Sequence, residues 1–475
     1  MTRETVRADL AVAGAGMAGL VAGVRAAERG LDPVLLEKAP EVGGSMRLSA
    51  GLVWSYPTVE EAREAAPDGD PALQRLVVEG LDDGFEWLRS LGLAVDEPPV
   101  ELPTGDVVTT PTPGANCGKV DPGALCATAT DRIRDDGGRI LTETPMTGLR
   151  TDDAGRVVGV DAAGPDGPLA VEADAVLLAT GGFQGDEELL QSFVTPCAET
   201  LWLRSNPHST GDGLRAARDA GATTTAGMDT FYGHNLAAPP AGFGPDEYLE
   251  ATQYYGPFAV AVDRHGERFT DESESDLEHT LAQDTLHEAG GRAHYLLDGD
   301  LYRDEVFSMG RVGDIVDRAA EMGGQVIRAR SLDDLGQRLW DAGVDGDRAV
   351  ETVREYNEAV RAGRGDRLDP PRRDHARPLD RPPFYAVAVQ PGITFTMGGI
   401  RVDDEMRVLR RAETGSTLAA DLAGVDPRRT PIPGLYAAGV DVGGINHRGY
   451  LGGLATALVT GYEAVETAVA DGVGG

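Results

Sequence analysis

The fold is decided by residues 9–37, which read DLAVAGAGMAGLVAGVRAAERGLDPVLLE. Residues 9–13, which are apolar from Leu10 onward, predict a short buried strand, and GAGMAG at 14–19 is a glycine-rich turn with the spacing G-x-G-x-x-G. Residues 20–29 predict a helix, and residues 33–36 predict a second strand. A strand, a glycine turn, a helix and a strand in this order predict a parallel βαβ unit.

An acidic residue closes this unit. Glu37 follows the second strand, 23 positions after Gly14. Glycines in the turn let the backbone approach a pyrophosphate, and the amino terminus of the helix supplies positive partial charge. The carboxylate of Glu37 can accept hydrogen bonds from ribose hydroxyls. Together these features predict a dinucleotide site.

Composition excludes several other classes of protein. The chain has 475 residues, of which 41% are hydrophobic and 25% charged, so we expect a folded globular protein with two domains. Its formal charge of −35 argues against nucleic acid and against anionic membrane surfaces as partners. The three cysteines, Cys117, Cys126 and Cys197, have neither metal-ligand spacing nor a disulfide framework. We therefore expect free thiols, no metal and a cytoplasmic location.

One apolar stretch resembles a targeting signal. Residues 10–24 could pass for the core of a signal peptide, but they are rich in glycine and no cleavage pattern follows them. No other stretch approaches the roughly 20 apolar residues of a membrane-spanning helix. We therefore expect neither secretion nor membrane insertion.

The nucleotide-binding domain is expected to use both ends of the chain. A plain nicotinamide domain would continue after Glu37 with more alternating strands and helices, whereas here a second glycine-rich loop follows, and residues 56–122 predict a polar, proline-containing stretch without a βα repeat. The further pieces are the loop at 41–51, strands at 139–141, 157–160 and 175–179, the TGG turn at 180–182, GLYAAG at 434–439, and a helix from Leu454 onward.

Residues 233–383 are predicted to form an inserted domain. They contain a predicted pair of strands at 258–262 and 264–269 and several amphipathic helices, of which residues 347–362 are one. The predicted domains are therefore 1–232 together with 384–475, and 233–383.

An ordered set of motifs resembles one superfamily, the FAD-dependent fumarate reductases and 3-ketosteroid dehydrogenases. The matching pieces are Gly14/Gly16/Gly19 with Glu37, VGGS at 42–45, LATGGF at 178–183, STGDG at 209–213, GERF at 266–269 with Asp271 and Glu272, TMGG at 396–399, and 434–439. The resemblance implies an α/β fold: a Rossmann-like FAD-binding domain of the second glutathione-reductase type, with an inserted α+β capping domain that closes over the flavin.

The resemblance also implies which residues bind FAD. They are Gly14, Ala15, Gly16, Met17, Ala18, Gly19, Glu37, Lys38, Gly43, Gly44, Ser45, Ala50, Gly51, Met146, Thr180, Gly181, Gly182, Thr210, Asp212, Gly439, Asp441, Leu454 and Ala455. Covalent relatives attach FAD to a histidine in the second glycine loop. Residues 43–51 contain no histidine, so we expect noncovalent FAD.

The positions that bind fumarate in the family are altered. Asp276, eight residues after Arg268, stands where fumarate reductases have an arginine acid and ketosteroid dehydrogenases have a tyrosine. Thr252 and Tyr255 replace the glutamate and arginine of the fumarate reductase proton relay, and Phe395 replaces a substrate-binding histidine. The resemblance therefore disfavours fumarate as the substrate.

The loop before the last helix carries a different signal. Tyr450 stands where fumarate reductases have an arginine that clamps a carboxylate, and where ketosteroid dehydrogenases have a tyrosine that holds the ketone oxygen. His447 and Arg448 precede it and could still meet an acid group. The surrounding residues also resemble tricarballylate dehydrogenase, which oxidises a tricarboxylate.

The resemblance implies desaturation of a C–C bond alpha,beta to the carbonyl of a ketone, such as a cyclic or steroid-like one, by hydride transfer to flavin N5. Tyr450 would polarise the carbonyl, Asp276, Tyr254 or Tyr255 would take the proton, and His234 and Phe395 would contact the substrate. The alternative is an enoate reductase or carboxylic-acid dehydrogenase with Arg448 and His234 as anchors.

Two further alternatives are a flavoprotein that only transfers electrons and a nicotinamide dehydrogenase, which the second glycine loop disfavours. The expected partners are a small-molecule substrate and an unidentified electron acceptor or donor.

Overall fold

The computed structural model describes residues 4–101, 107–112, 114–244, 247–275, 278–306, 310–411 and 430–475. The strands are β1 (Glu4–Ala13), β2 (Pro33–Leu36), β3 (Leu52–Ser55), β4 (Val100–Glu101), β5 (Val107–Val108), β6 (Asn116–Lys119), β7 (Arg139–Leu141), β8 (Met146–Thr151), β9 (Val157–Gly164), β10 (Gly167–Leu178), β11 (Trp202–Leu203), β12 (Phe231–Ala237), β13 (Val260–Val262), β14 (Ala293–Leu297), β15 (Val326–Ala329), β16 (Phe384–Thr396), β17 (Arg407–Leu409) and β18 (Pro431–Ala437). The helices are α1 (Met17–Glu28), α2 (Val59–Ala65), α3 (Pro71–Ser90), α4 (Pro122–Asp135), α5 (Glu187–Phe193), α6 (Asp212–Asp219), α7 (Tyr248–Ala251), α8 (His279–His287), α9 (Gly299–Arg303), α10 (Val312–Glu321), α11 (Leu332–Asp341), α12 (Gly346–Arg361) and α13 (Gly453–Ala470).

The predicted βαβ unit forms the centre of the first sheet. Strands run in the order β17-β18-β10-β1-β2-β7, with β9 added to β10 and β8 to β9. β1 pairs in parallel with both β2 and β10, and β10 pairs in parallel with β18. The two ends of the chain therefore meet in one sheet, and the α/β class predicted from the sequence is confirmed.

The buried parts of the two central strands are apolar. Residues 10–13 of β1 and all of β2 are buried, as is typical of parallel strands that helices cover on both faces. α1 packs against α4 and α13 on this sheet. α1 begins at Met17, within the glycine-rich motif 14–19 and three residues earlier than predicted.

A second sheet contains most of the remaining strands. It has the order β11-β16-β14-β13, with β12 and β15 also paired to β16. The prediction that residues 264–269 form a strand paired with residues 258–262 is wrong. The strand β13 pairs with β14 instead. Asp263 Oδ1 accepts hydrogen bonds from the backbone N–H groups of His265 and Glu267, and this turn ends the strand.

The region 56–122 contains more regular structure than predicted. α3 is a 20-residue helix that begins at Pro71, and the Asp70 side chain caps it by accepting from the Ala72 N–H at 2.9 Å. Leu73, Val77 and Leu81 recur every four residues and are buried, and the helix packs against α13. This helical pattern lies within a polar sequence, where the polar residues form the exposed face.

Candidate functional site

A cavity of about 810 Å³ brings together residues from both sheets. Fifteen of the predicted cofactor residues line it. They are Gly14, Gly16, Met17, Ala18, Glu37, Lys38, Gly44, Ser45, Ala50, Met146, Thr180, Gly181, Asp212, Gly439 and Leu454. Residues far apart in the sequence therefore converge on one site.

The glycine turn between β1 and α1 allows a ligand to approach its backbone closely. Gly14 has φ +99°, and a Cβ there would lie 2.2 Å from the carbonyl oxygen of Ala179. A Cβ on Gly19 would lie 2.0 Å from the carbonyl oxygen of Gly14. Nothing lies within 4 Å of the corresponding point on Gly16, which lines the cavity. The first and third glycines thus fold the turn, and the second leaves room for a phosphate group.

Glu37 is held at the edge of this turn. Its carboxylate accepts hydrogen bonds at 2.8 Å from the backbone N–H groups of Ala15 and Ala39. The neighbouring Lys38 places its Nζ 3.0 Å from Asp212 Oδ2 and 2.5 Å from Thr210 Oγ1. A fixed carboxylate beside an open glycine turn fits the ribose and pyrophosphate of FAD.

Eight predicted cofactor residues are not among the cavity-lining residues in the described part of the chain. They are Ala15, Gly19, Gly43, Gly51, Gly182, Thr210, Asp441 and Ala455. Asp441 is buried and accepts from the N–H groups of Thr180 at 2.5 Å and Gly182 at 3.0 Å. Burial raises the pKa of Asp441, and the bonds from Thr180 and Gly182 offset part of that rise. Asp441 thus holds the turn after β10 in shape.

Aromatic side chains form another part of the cavity wall. The rings of Tyr232 and Tyr450 are stacked, with centroids 3.8 Å apart and planes inclined by 18°. Trp54 packs edge-on against Tyr450 at 5.4 Å, and Phe395 lies 5.3 Å from Tyr232. Tyr254 also lines the cavity. This wall suits an apolar substrate body with few polar groups.

Tyr450 lies directly before α13. Its hydroxyl oxygen accepts the N–H of Gly453, at the start of α13, at 2.9 Å. Burial raises the pKa of Tyr450, so the phenol keeps its proton near neutral pH. The hydroxyl hydrogen is therefore available to a substrate oxygen, and the Gly453 N–H strengthens it as a donor.

Three side chains form a hydrogen-bonded chain that starts in the cavity. The hydroxyl of Tyr232 lies 3.0 Å from His234 Nε2, and His234 Nδ1 lies 3.1 Å from Glu278 Oε2. Tyr232 and His234 line the cavity, whereas Glu278 lies behind them and is 1% exposed. Glu278 also accepts from the Asn235 N–H and from the Tyr295 hydroxyl.

Burial tunes the protonation of this chain. It lowers the pKa of His234 well below the ordinary value, and the charge of Arg204 adds to the effect, so the imidazole is neutral. Burial also raises the pKa of Glu278 to about 8, against the opposing hydrogen bonds from Tyr295 and Asn235. A neutral imidazole that donates from Nδ1 to Glu278 leaves Nε2 to accept from Tyr232.

One cation in the cavity wall was missed by sequence reasoning. Arg204 is 5% exposed and lines the cavity. It donates to the hydroxyl oxygens of Thr394 at 2.8 Å and Tyr254 at 3.1 Å, and its guanidinium lies over the Tyr248 ring at 4.8 Å. No short motif marks this residue, which follows β11.

Three of the predicted site residues lie away from the described cavity wall, and a fourth is not described. Asp276 lies outside the described residues. Tyr255 is fully buried and donates to Gln253, and Arg448 pairs with Asp284 at 2.8 Å and with Glu274 at 2.6 Å. Neither of these two, nor His447, is among the described cavity-lining residues.

Within the described ranges, no group of three or more histidine, cysteine, aspartate or glutamate residues is arranged to hold a metal ion. The same part of the chain has no helix with the length and apolarity that crossing a membrane requires.

Comparisons with known proteins agree with this geometry. The FAD binding domain family model matches residues 9–455. Fumarate reductase (cytochrome) from Shewanella frigidimarina is 28% identical over 465 residues, covering 94% of this chain and 74% of the relative. The 4-oxocyclohexanecarboxylate 2-dehydrogenase of Sinomonas cyclohexanicum is 26% identical, covering 98% and 93%.

A solved structure shares the fold over nearly the whole chain. It is that of 3-ketosteroid delta1-dehydrogenase from Sterolibacterium denitrificans, in complex with 1,4-androstadiene-3,17-dione. The TM-score is 0.75 at 19% identity, and the match covers 98% of this chain and 100% of that one.

Proposed function

Because the chain belongs to the FAD binding domain family and is an FAD-dependent oxidoreductase, we propose that it desaturates a carbon–carbon bond next to the carbonyl of a small ketone. Bound FAD supplies the hydride acceptor at N5. Residues 233–383 act as a cap over the flavin in this proposal, and the FAD is noncovalent. The observation that carries the proposal is the pair of stacked tyrosines in the cavity wall, Tyr232 and Tyr450.

Tyr450 activates the ketone. Its hydroxyl donates to the carbonyl oxygen while the Gly453 N–H donates to Tyr450. When the α-proton leaves, negative charge develops on the carbonyl oxygen, and a donor already in position stabilises that charge without reorganisation.

Tyr232 removes the α-proton. Because its ring is stacked on Tyr450, the two phenols can reach two atoms of one substrate that are bonded to the same carbonyl carbon, the α-carbon and the carbonyl oxygen. As the α-proton bonds to the Tyr232 oxygen, the phenol proton passes to His234 Nε2 and the Nδ1 proton passes to Glu278. A carboxylate becomes a carboxylic acid, and His234 stays neutral.

We assign the removal of the proton to Tyr232, whereas the groups considered from the sequence are Asp276, Tyr254 and Tyr255. Tyr255 is enclosed in the core. The Tyr254 hydroxyl accepts from Arg204, and among the described residues it has no hydrogen bond to a histidine or a carboxylate. Tyr232 is the cavity phenol with a histidine and a carboxylate behind it.

A second candidate is an enzyme that reduces an enoate or oxidises a carboxylic acid. The buried cation Arg204 favours it, since a carboxylate could bind there. Arg448, the anchor predicted from the sequence, does not favour this candidate, because its charge is already paired with Asp284 and Glu274.

Anaerobic mixing tests the proposal. The purified yellow protein is mixed with cyclohexanone, a steroid 3-ketone, 4-oxocyclohexanecarboxylate, succinate and tricarballylate, and flavin absorbance is followed. We expect at least one ketone to bleach the flavin. Bleaching by succinate or tricarballylate alone would support the second candidate. No bleaching by any compound would contradict both.

A further inference from the structure

Arg204 is a buried guanidinium without a carboxylate partner in the described ranges. Its N–H groups donate to three hydroxyl oxygens, those of Thr394, Tyr254 and, at 3.4 Å, Thr252. Over the same ranges no carboxylate oxygen lies within 4.0 Å of it. An arginine has five N–H donors, so these three bonds leave two of them available.

Two other arginines with buried side chains, Arg268 and Arg372, do have a carboxylate partner. Arg268 and Arg372 both pair with the buried Glu272, at 2.6 and 3.0 Å. A charge taken out of water without an ionic partner is costly, and the contact with the Tyr248 ring offsets only part of that cost. Arg204 faces a cavity, where an anion from solution can supply the missing partner.

The nearest buried acid does not fill this role. Glu278 feels the charge of Arg204, but its oxygens accept from Asn235, Tyr295 and His234. Glu278 is also separated from the cavity by His234. Arg204 therefore remains available to a bound molecule.

We propose that Arg204 binds a carboxylate of the substrate, and hence that the substrate is a keto acid. This inference rests on the proposed function, which places the ketone at Tyr450. A guanidinium matches a carboxylate with two parallel hydrogen bonds, and this pairing is stronger than a bond between neutral groups.

The contacts around the two anchors, Arg204 and Tyr450, favour a compact molecule. Arg204 donates to the hydroxyl of Tyr254, whose ring lies 5.1 Å from that of His234. His234 in turn contacts the hydroxyl of Tyr232, which is stacked on Tyr450. These contacts connect Arg204 and Tyr450 at the same end of the cavity. One ring that carries a ketone and a carboxylate spans such an end. A relative is named for this kind of compound, 4-oxocyclohexanecarboxylate.

The test compares an acid with its neutral ester. The probes are 4-oxocyclohexanecarboxylate and its methyl ester, and the proteins are the holoenzyme, Arg204→Met, Arg204→Lys and the control Arg381→Met, whose side chain is 70% exposed. Calorimetry gives the Kd of each probe, and anaerobic stopped flow gives flavin reduction. FAD content and a thermal melt verify that each variant is folded.

We expect the holoenzyme to bind the acid at least about 30-fold more tightly than the ester, as for a buried charge pair. Arg204→Met should abolish that preference by weakening the acid alone, Arg204→Lys should restore part of it, and Arg381→Met should leave it unchanged. Equal affinities in the holoenzyme, or loss of FAD in Arg204→Met, would overturn the inference.

The two proposals fail in different ways. Binding of the acid that depends on Arg204, without flavin reduction by any ketone, would leave the anion site in place and overturn ketone desaturation. Flavin reduction by acid and ester at equal affinity would support ketone desaturation and overturn the role of Arg204.

Discussion

Tyr450 is the residue on which carbonyl activation depends. Tyr450→Phe removes the hydroxyl that donates to the substrate and leaves the ring that packs on Tyr232 and Trp54. Loss of one preorganised donor to a developing oxyanion lowers turnover about 10²–10³-fold. We expect that decrease in the rate of flavin reduction, with unchanged FAD content. A variant that reduces its flavin at the parental rate would show that Tyr450 only packs.

The pH dependence of flavin reduction should report Glu278. The relay delivers a proton to this residue, which must be a carboxylate to accept it, and burial raises its pKa to about 8. The titratable or charged groups that act with it are His234, Tyr295, Tyr255 and Arg204. The rate should therefore rise as the pH increases through about 8.

Glu278→Gln should remove that rise and lower the rate about 10²-fold or more, because an amide cannot take the proton. Glu267→Gln is the matched control, since this carboxylate is exposed and pairs with Arg348. An unchanged pH profile in Glu278→Gln would contradict the relay.

Sequence reasoning found single residues of the site but not their combinations. Tyr450 could be found because its spacing to the glycines before α13 is local. The sequence could have indicated that Tyr232 and His234 lie together, since residues two apart on a strand share a face. Glu278 lies 44 residues from His234, and only folding brings the two together. Arg204 has no local motif, and its lack of a carboxylate partner is a property of the folded state.

At the scale of elements, an ion cluster joins the loop after α12 to β13. Arg372 is fully buried and donates to Glu272 at 3.0 Å and to the carbonyl oxygens of Ala259 and Pro257. Arg372→Met leaves these carbonyls without a donor and removes half of the charge pairing of Glu272. We expect the free energy of unfolding to fall by about 3–5 kcal/mol in urea titration.

The same cluster gives a pH dependence of stability. Burial opposes ionisation of Glu272, but the charges of Arg268 and Arg372 outweigh it, so the pKa of Glu272 in the folded protein is lowered. The stabilisation that ionised Glu272 contributes is therefore complete above the pKa of this glutamate in the unfolded chain, and it is lost as the pH falls from there through the lower pKa of the folded protein. The control for Arg372→Met is Arg381→Met, at an exposed site, which should change the unfolding free energy by less than about 1 kcal/mol. Equal effects of Arg372→Met and Arg381→Met would contradict the cluster's role.

Elements were predicted well where their pattern is local. The helix predicted from Leu454 begins at Gly453, and the one predicted at 347–362 spans Gly346–Arg361. α3 was missed because its apolar positions are spread through polar residues, and they become a core only against α13. The partner of β13 was predicted wrongly because the strand pairs with residues more than 30 positions away, whereas a turn signal directly after it favoured a local hairpin.

At the scale of the whole molecule, the cofactor should be separable from the chain. The loop at 43–51 has no histidine, and neither Cys117 nor Cys126 is among the described cavity-lining residues. We expect acid precipitation to release all of the flavin into the supernatant as FAD. Yellow colour that stays with the washed protein pellet would contradict noncovalent binding.

Charge over the whole molecule bears on fumarate. The chain carries a formal charge of −35, which repels a dianion from solution, although salt weakens that repulsion. Within the described cavity wall, Arg204 is the buried cation without an acid partner, and Tyr450 stands at the position expected for the arginine that clamps a carboxylate in fumarate reductases. Fumarate would therefore bury one carboxylate against a phenol and aromatic rings, with a large desolvation penalty.

We expect fumarate neither to bind well nor to be reduced. The protein is reduced with dithionite under anaerobic conditions and mixed with fumarate in a stopped-flow instrument, with buffer alone as the blank and oxygen as the positive control. Flavin absorbance should return with oxygen and stay bleached with fumarate. Tyr450→Arg, which adds a second cation to the cavity, should increase fumarate affinity if the missing charge is the barrier. Rapid reoxidation of the parental protein by fumarate would instead place it with the reductases and overturn the ketone as its substrate.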